Sequence, residues 1–166
     1  MQTLIPRCVN NGGGDCLFLA SAQALGYRCV TQLRQQVVEY LRVNSNDMML
    51  WWDAPLDAQQ HVGGTLAAFQ SYLSRMALPG TWGGGLELQA ISALSQTAIL
   101  VMGPDMPPVI FGDYSAQGAR PGVVLWFHNQ HYEWVPPDAF PVPDFMWTLA
   151  RGRQASTEIH SAPSWS

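Results

Sequence analysis

Two short stretches of this 166-residue chain hold residue types that can do chemistry together. One is Gly13-Gly14-Asp15-Cys16-Leu17-Phe18, a cysteine closing a glycine-rich turn; the other, far downstream, is His131-Tyr132-Glu133. A thiol becomes a strong nucleophile when a base takes its proton. A cysteine and a histidine distant in sequence and adjacent in the fold are a common layout for that pair. The chemistry expected is attack of Cys16 on a carbonyl, with His131 holding the thiolate.

Each part of the pattern has a physical reason. Cys16 opens an apolar, alanine-rich run, CLFLASAQAL, which reads as a helix stopped at Gly26. A sulfur in the first helical turn meets unpaired N–H groups and the positive end of the dipole, and both favour the anion. Gly12, Gly13 and Gly14 permit a tight turn and let backbone N–H groups converge on an oxyanion. In a strand, His131 and Glu133 share one face while Tyr132 and Trp134 share the other. Two strand residues on one face stand about 6.6 Å apart, a gap that a glutamate can span to orient an imidazole. A plainer reading exists: Cys16 as a small buried hydrophobe and His131 as an edge-strand residue. Cys8 and Cys29 lack the glycine context, which sets Cys16 apart.

Trp82-Gly83-Gly84-Gly85-Leu86-Glu87-Leu88 is a third informative stretch. Trp82 can anchor a turn from which a helix starts. Bare backbone at Gly83, Gly84 and Gly85 also suits a narrow substrate channel, and both readings can hold together. Tyr132 and Trp134 are expected to steady the strand and to line the same substrate site. His128 and His131 form a His-x-x-His pair, but no third ligand follows, so neither a metal nor another cofactor is expected.

The elements that must position these residues come in a simple order. After the first helix, Thr31 can cap a second, with Leu33, Val37, Tyr40 and Leu41 on one face. Residues 44–63 are irregular, with one helical turn around 47–52. A third helix over 65–77 carries Leu66, Phe69, Leu73 and Met76, and a fourth after Gly85 carries Leu88, Ile91 and Leu94. Strands follow at 98–102, 109–111, 122–127 and 131–135, the last two joined through His128-Asn129-Gln130. Helices first, packed on a small, mostly antiparallel sheet afterwards, make an α+β domain. We expect one domain over 1–150, with an extended wrap over 136–150 and a disordered tail over 151–166.

Composition sets the boundaries. A net charge of −4 and a pI near 5.4 lack the basic footprint of a nucleic-acid binder. Three cysteines without a Cys-x-x-Cys pair make disulfides unexpected and point to a reducing compartment. No apolar run reaches the ~20 residues of a membrane span, and the first residues lack a signal peptide's apolar stretch. Without sustained heptads, a monomer in the cytoplasm is the expectation.

Taken in order, these motifs resemble the ovarian-tumour (OTU) family of cysteine deubiquitinases. Gly13–Phe18 resembles that family's Asp-Gly-Asn/Asp-Cys motif. Trp82–Leu88 resembles its Trp-Gly-Gly turn and Glu-Leu helix, and Val123–Glu133 its apolar strand, turn and His-Tyr-Asp/Asn. The resemblance covers residues 8–136. Two positions depart: Gly13 stands where the family has Asp, and Glu133 where it has Asp or Asn, with Asp15 as another polar support near Cys16.

The resemblance implies a papain-like OTU fold and hydrolysis of the isopeptide bond after the ubiquitin C-terminal Gly-Gly. It would proceed through an acyl-enzyme on Cys16, with Gly13, Gly14 and Asp15 around the oxyanion. It implies ubiquitin or polyubiquitin, or ubiquitin-like modifiers, as partner, with Asp47, Asp53 and Asp57 as candidates for an acidic docking surface. Compact domains of this kind occur in viral polyproteins and as bacterial effectors acting in a host cytosol. The alternatives are a protease that cuts a viral polyprotein, a ubiquitin-binding module without catalysis, and a secreted cell-wall peptidase. The missing export signal counts against the last.

Overall fold

The computed structural model describes residues 10, 12–112 and 122–138. The tail expected over 151–166 lies outside these residues, as does nearly all of the wrap expected over 136–150. Among the described residues five α-helices precede four strands. The helices are α1 (Cys16–Leu25), α2 (Val30–Val43), α3 (Ser45–Met48), α4 (Gly64–Met76) and α5 (Gly85–Ser95). The strands are β1 (Ile99–Gly103), β2 (Met106–Phe111), β3 (Val123–His128) and β4 (His131–Trp134).

The four strands form one sheet in the order β2-β1-β3-β4. β1 pairs parallel with β3, while β2 on β1 and β4 on β3 are antiparallel. The central positions follow from the sequence. β1 and β3 are apolar at successive residues, so both of their faces need cover. β2 contains Pro107 and Pro108, which cannot donate to a ladder on two sides, and it lies at an edge. It starts at Met106 rather than Val109 because Pro104-Asp105 alone makes the hairpin turn. Asn129 and Gln130, with φ of 52° and 58°, close the β3–β4 hairpin as a two-residue turn. His128 therefore ends β3, directly opposite His131, rather than sitting in the turn.

The main core lies between one face of this sheet and the inner faces of the helices. Phe18, Leu33, Val37, Phe69, Leu88 and Ile91 meet Ile99, Val101, Leu125 and Tyr132 there. Alternate strand residues, including Leu100, Met102, Ile110, Val124 and Val135, form a second cluster on the opposite face. Trp52 is buried and its ring meets Phe69 at 5.1 Å and Tyr72 at 5.5 Å, which pins the irregular 44–63 segment onto α4. Three helix expectations need correction. α2 starts at Val30, ahead of the cap expected at Thr31, and Leu66 and Leu94 are 45% and 38% exposed rather than in the core. For the site, the decisive contact is α1 lying against β4, the edge strand.

Candidate active site

Cys16 is the first residue of α1, and a single 3-10 turn, Gly13–Asp15, feeds into it. The turn is closed by its own backbone. Asp15 N–H donates to the Gly12 carbonyl at 2.7 Å, and Cys16 N–H donates to the Gly13 carbonyl. Gly14 sits flush on another backbone segment: a Cβ there would stand 1.7 Å from the carbonyl oxygen of Gly80. Gly83 packs on α1 in the same way, where a Cβ would lie 3.2 Å from the Phe18 ring. The Trp82–Gly85 turn is thereby seated against the first turn of the cysteine helix. Trp82 is 40% exposed, while Gly83 and Gly84 are buried.

The sulfur lies at the open edge of β4. Tyr132 N–H donates to Cys16 Sγ at 3.4 Å, and the thiol faces the Gln130 carbonyl at 4.0 Å. The Tyr132 carbonyl accepts from Asn10 Nδ2 at 3.0 Å, and Asn10 Oδ1 accepts from Gly12 N–H at 3.1 Å. Both main-chain groups of Tyr132 thus point away from β3 and are taken by the segment that carries the cysteine.

This seal leaves Cys16 only 1% exposed. Burial pushes its thiol pKa up, and the nearby Asp15 charge adds to the rise. The N–H groups of Tyr132, Leu17 and Cys16 itself pull the other way with less effect. The helix N-terminus favours the anion, as expected, but in the resting site desolvation outweighs it.

His131 opens β4, half-buried, between the two residues whose backbones touch the sulfur. Strand alternation sends Tyr132 and Trp134 into the helix-side core, and His131 and Glu133 to the face that Val135 shares. The structure thus brings the Cys16 sulfur to the histidine's strand through main-chain contacts at residues 130 and 132. Among the described residues it has no hydrogen bond to the imidazole. Glu133 is 8% exposed. The Tyr132 ring is 1% exposed and meets Phe127 at 4.6 Å in the core. Trp134 is half-buried against the same core.

Asp15 is held by partners outside the turn. Its Oδ1 accepts from Arg34 Nη2 at 2.5 Å and from Gly80 N–H at 2.8 Å. Arg34 carries a sequence signal of its burial. It falls three residues before Val37 and seven before Leu41, on the apolar stripe, where a solvated arginine does not belong. Glu87 carried a similar signal, four residues before Ile91. It is fully buried, accepting from Gly84 N–H at 2.8 Å and from the Tyr72 hydroxyl at 2.7 Å, and burial raises its pKa to about 7. Asn10 had no sequence signal, because the partner that ties it to β4, the Tyr132 carbonyl, is a main-chain group far along the chain.

Asp47, Asp53 and Asp57 are all exposed on the irregular segment, near exposed Leu50 and Leu56 in sequence. His128 stands 3.6 Å from Asp105 of the β1–β2 turn, a pair that carries charge on both sides only when the imidazole is protonated. Among the described residues no group of three His, Cys, Asp or Glu side chains could hold a metal ion. Nor is any helix among them long and apolar enough to cross a membrane.

Comparison with known proteins adds an independent line. A family model described as OTU-like cysteine protease matches residues 11–134. The human protein named deubiquitinase OTUD6B is 31% identical over 131 residues, covering 74% of this chain and 43% of that protein. The chain spans less than half the length of the mouse and human relatives of that name. Among solved structures, the viral OTU domain protease from Farallon virus superposes with a TM-score of 0.64 at 18% identity, over 80% of this chain and 83% of that one. An ovarian tumor (OTU) domain solved in complex with ubiquitin gives a TM-score of 0.59 at 20% identity, over 95% of this chain and 88% of the other.

Proposed function

The chain belongs to the family of OTU-like cysteine proteases, and from that premise we propose that it is a thiol-dependent deubiquitinase with Cys16 as nucleophile and His131 as base. The observation that carries this reading is the 3.4 Å hydrogen bond from Tyr132 N–H to Cys16 Sγ. It joins the helix-start cysteine to the residue that follows His131, across more than a hundred positions of sequence.

In this reading the reaction runs in two halves. His131 takes the thiol proton as Sγ attacks the isopeptide carbonyl, and a C–S bond forms. The oxyanion falls to the N–H groups of Gly13 and Gly14, because those of Asp15 and Cys16 are already bonded within the turn. Collapse breaks the C–N bond, and His131 returns its proton to the departing lysine amine. Water, deprotonated by His131, then hydrolyses the thioester and frees the ubiquitin carboxylate. Glu133 orients the imidazole.

The ubiquitin assignment draws support from the deubiquitinase relative and the ubiquitin-bound neighbour, each named for what that protein does. Bare backbone at Gly83–Gly85 beside α1 suits a Gly-Gly tail, and Asp47, Asp53 and Asp57 suit basic residues before it. A second reading, a ubiquitin-binding module without turnover, is favoured by one feature, the 1% exposure of Cys16. Cleavage of an isopeptide-linked diubiquitin separates the two. The proposal expects monoubiquitin from the wild-type protein and none from Cys16→Ala; diubiquitin retained but uncut by the wild type sinks it in favour of the binding module.

A further inference from the structure

Arg34 is a buried ion held by several acceptors at once. It lies on α2, is 2% exposed, and reaches three separate segments. Nη1 donates to the carbonyls of Met76 at 2.9 Å and Thr81 at 3.0 Å. Nη2 donates to the Asp15 carboxylate at 2.5 Å and is 3.5 Å from the Gly14 carbonyl. The guanidinium carbon stands 4.1 Å above the Phe18 ring. Asp15 closes the ring of contacts by accepting Gly80 N–H. A planar five-donor fork can hold these acceptors at once, which a lysine cannot.

The consequence reaches the nucleophile. The turn between Gly12 and Cys16 makes few side-chain contacts of its own, since three of its residues are glycine. Its orientation is imposed from outside, by Gly14 resting on Gly80 and by Arg34 gripping the Gly14–Asp15 peptide and carboxylate. Asp15 also brings a negative charge next to the residue that must become an anion, and Arg34 cancels that charge at contact distance.

We propose that Arg34 and Asp15 form the positioning pair of this site: the guanidinium sets the turn whose N–H groups receive the oxyanion and neutralises the carboxylate that precedes the nucleophile in the chain. Arg34 does not touch substrate. The inference rests on the proposed hydrolase reading for its kinetic part and stands apart from it for its electrostatic part. Among the described residues, the ionisable groups of the sulfur's own turn and of β4 are Asp15, His131, Tyr132 and Glu133, and Arg34 reaches the turn from α2. Glu87 on α5 is coupled to Tyr132. The test alters Asp15 and Arg34 and leaves the others in place.

The rate of Cys16 alkylation by iodoacetamide, followed against pH by mass of the Cys16 peptide, reports thiolate formation without any ubiquitin. Arg34→Met exposes the sulfur to an uncancelled carboxylate, and the midpoint rises, on the order of half a pH unit. Asp15→Asn removes the carboxylate and the midpoint falls by a similar amount; the double variant returns near the wild type. Arg34→Lys keeps the charge and loses the fork, so its midpoint stays near wild type while kcat on diubiquitin drops about tenfold at little change in KM. A purely structural bridge moves both single variants in one direction or neither, and that result overturns the proposal. If Arg34→Met does not fold, an unmoved midpoint in Asp15→Asn overturns it alone. If the midpoints shift in opposite directions but the wild type cuts no ubiquitin substrate, the pair stands and the hydrolase reading falls.

Discussion

Glu87→Gln is the perturbation whose size the structure sets most clearly. The Glu87 carboxyl is fully buried, and burial raises its pKa from 4.5 to about 7 against the pull of its Tyr72 and Gly84 hydrogen bonds. Below pH 4.5 both folded and unfolded chains hold the proton, so the full contribution to stability is present. As pH climbs from there to about 7 the unfolded chain releases the proton and the folded chain keeps it, so stability drains away. Above the folded pKa the loss is complete. A gap of about 2.5 units at ~1.36 kcal/mol per unit gives about 3 kcal/mol. Glutamine is neutral at every pH, can accept Gly84 N–H through its carbonyl, and can donate its amide to the Tyr72 oxygen. Urea unfolding of both proteins at pH 5 and pH 8 isolates the effect, because every other titrating group cancels in the difference. The variant should gain about 2–3 kcal/mol on the wild type between those two conditions. A difference that is the same at both pH values refutes the reasoning, and with it the raised pKa of the buried Glu87 carboxyl.

Three further outcomes are expected. Gly14→Ala forces a Cβ to 1.7 Å from the Gly80 carbonyl, where backbone faces backbone and cannot yield. It should cost at least about 2 kcal/mol in denaturant midpoint and most of the turnover, and a neutral variant would show that the turn is not seated there. His131→Ala should abolish cleavage of diubiquitin while Glu133→Ala lowers it less; an unchanged rate in Glu133→Ala would remove Glu133 from the orienting role. Deletion of 151–166 should leave both thermal midpoint and cleavage rate intact, and a large loss in either would make that segment part of the domain.

What the sequence made legible, and what it hid, divides along physical lines. Helix starts and stops are local, so α1 could be placed to the residue between Asp15 and Gly26. The AILVM and VVLWF runs announced central strands because two covered faces leave no polar alternation. Periodicity failed where the buried face was not purely apolar. Arg34 and Glu87 occupy core positions that an apolar count skips, while Leu66 and Leu94 fit the count and face solvent. The parallel β1–β3 pairing depends on a long connection and leaves no local trace. At the site, types and spacing pointed to Cys16 and to the 131–133 strand, but the resting state of the sulfur was not readable. It depends on desolvation by burial, opposed by hydrogen bonds such as that from Tyr132 N–H, and the fold alone supplies both.

The central claim is that the Cys16 sulfur attacks a ubiquitin C-terminus. Intact mass spectrometry after incubation with a ubiquitin bearing a thiol-reactive electrophile at that end tests it directly. The account predicts a one-to-one covalent adduct, mapped to Cys16 and lost in Cys16→Ala. An adduct that persists in Cys16→Ala, or none from the folded wild type, contradicts it.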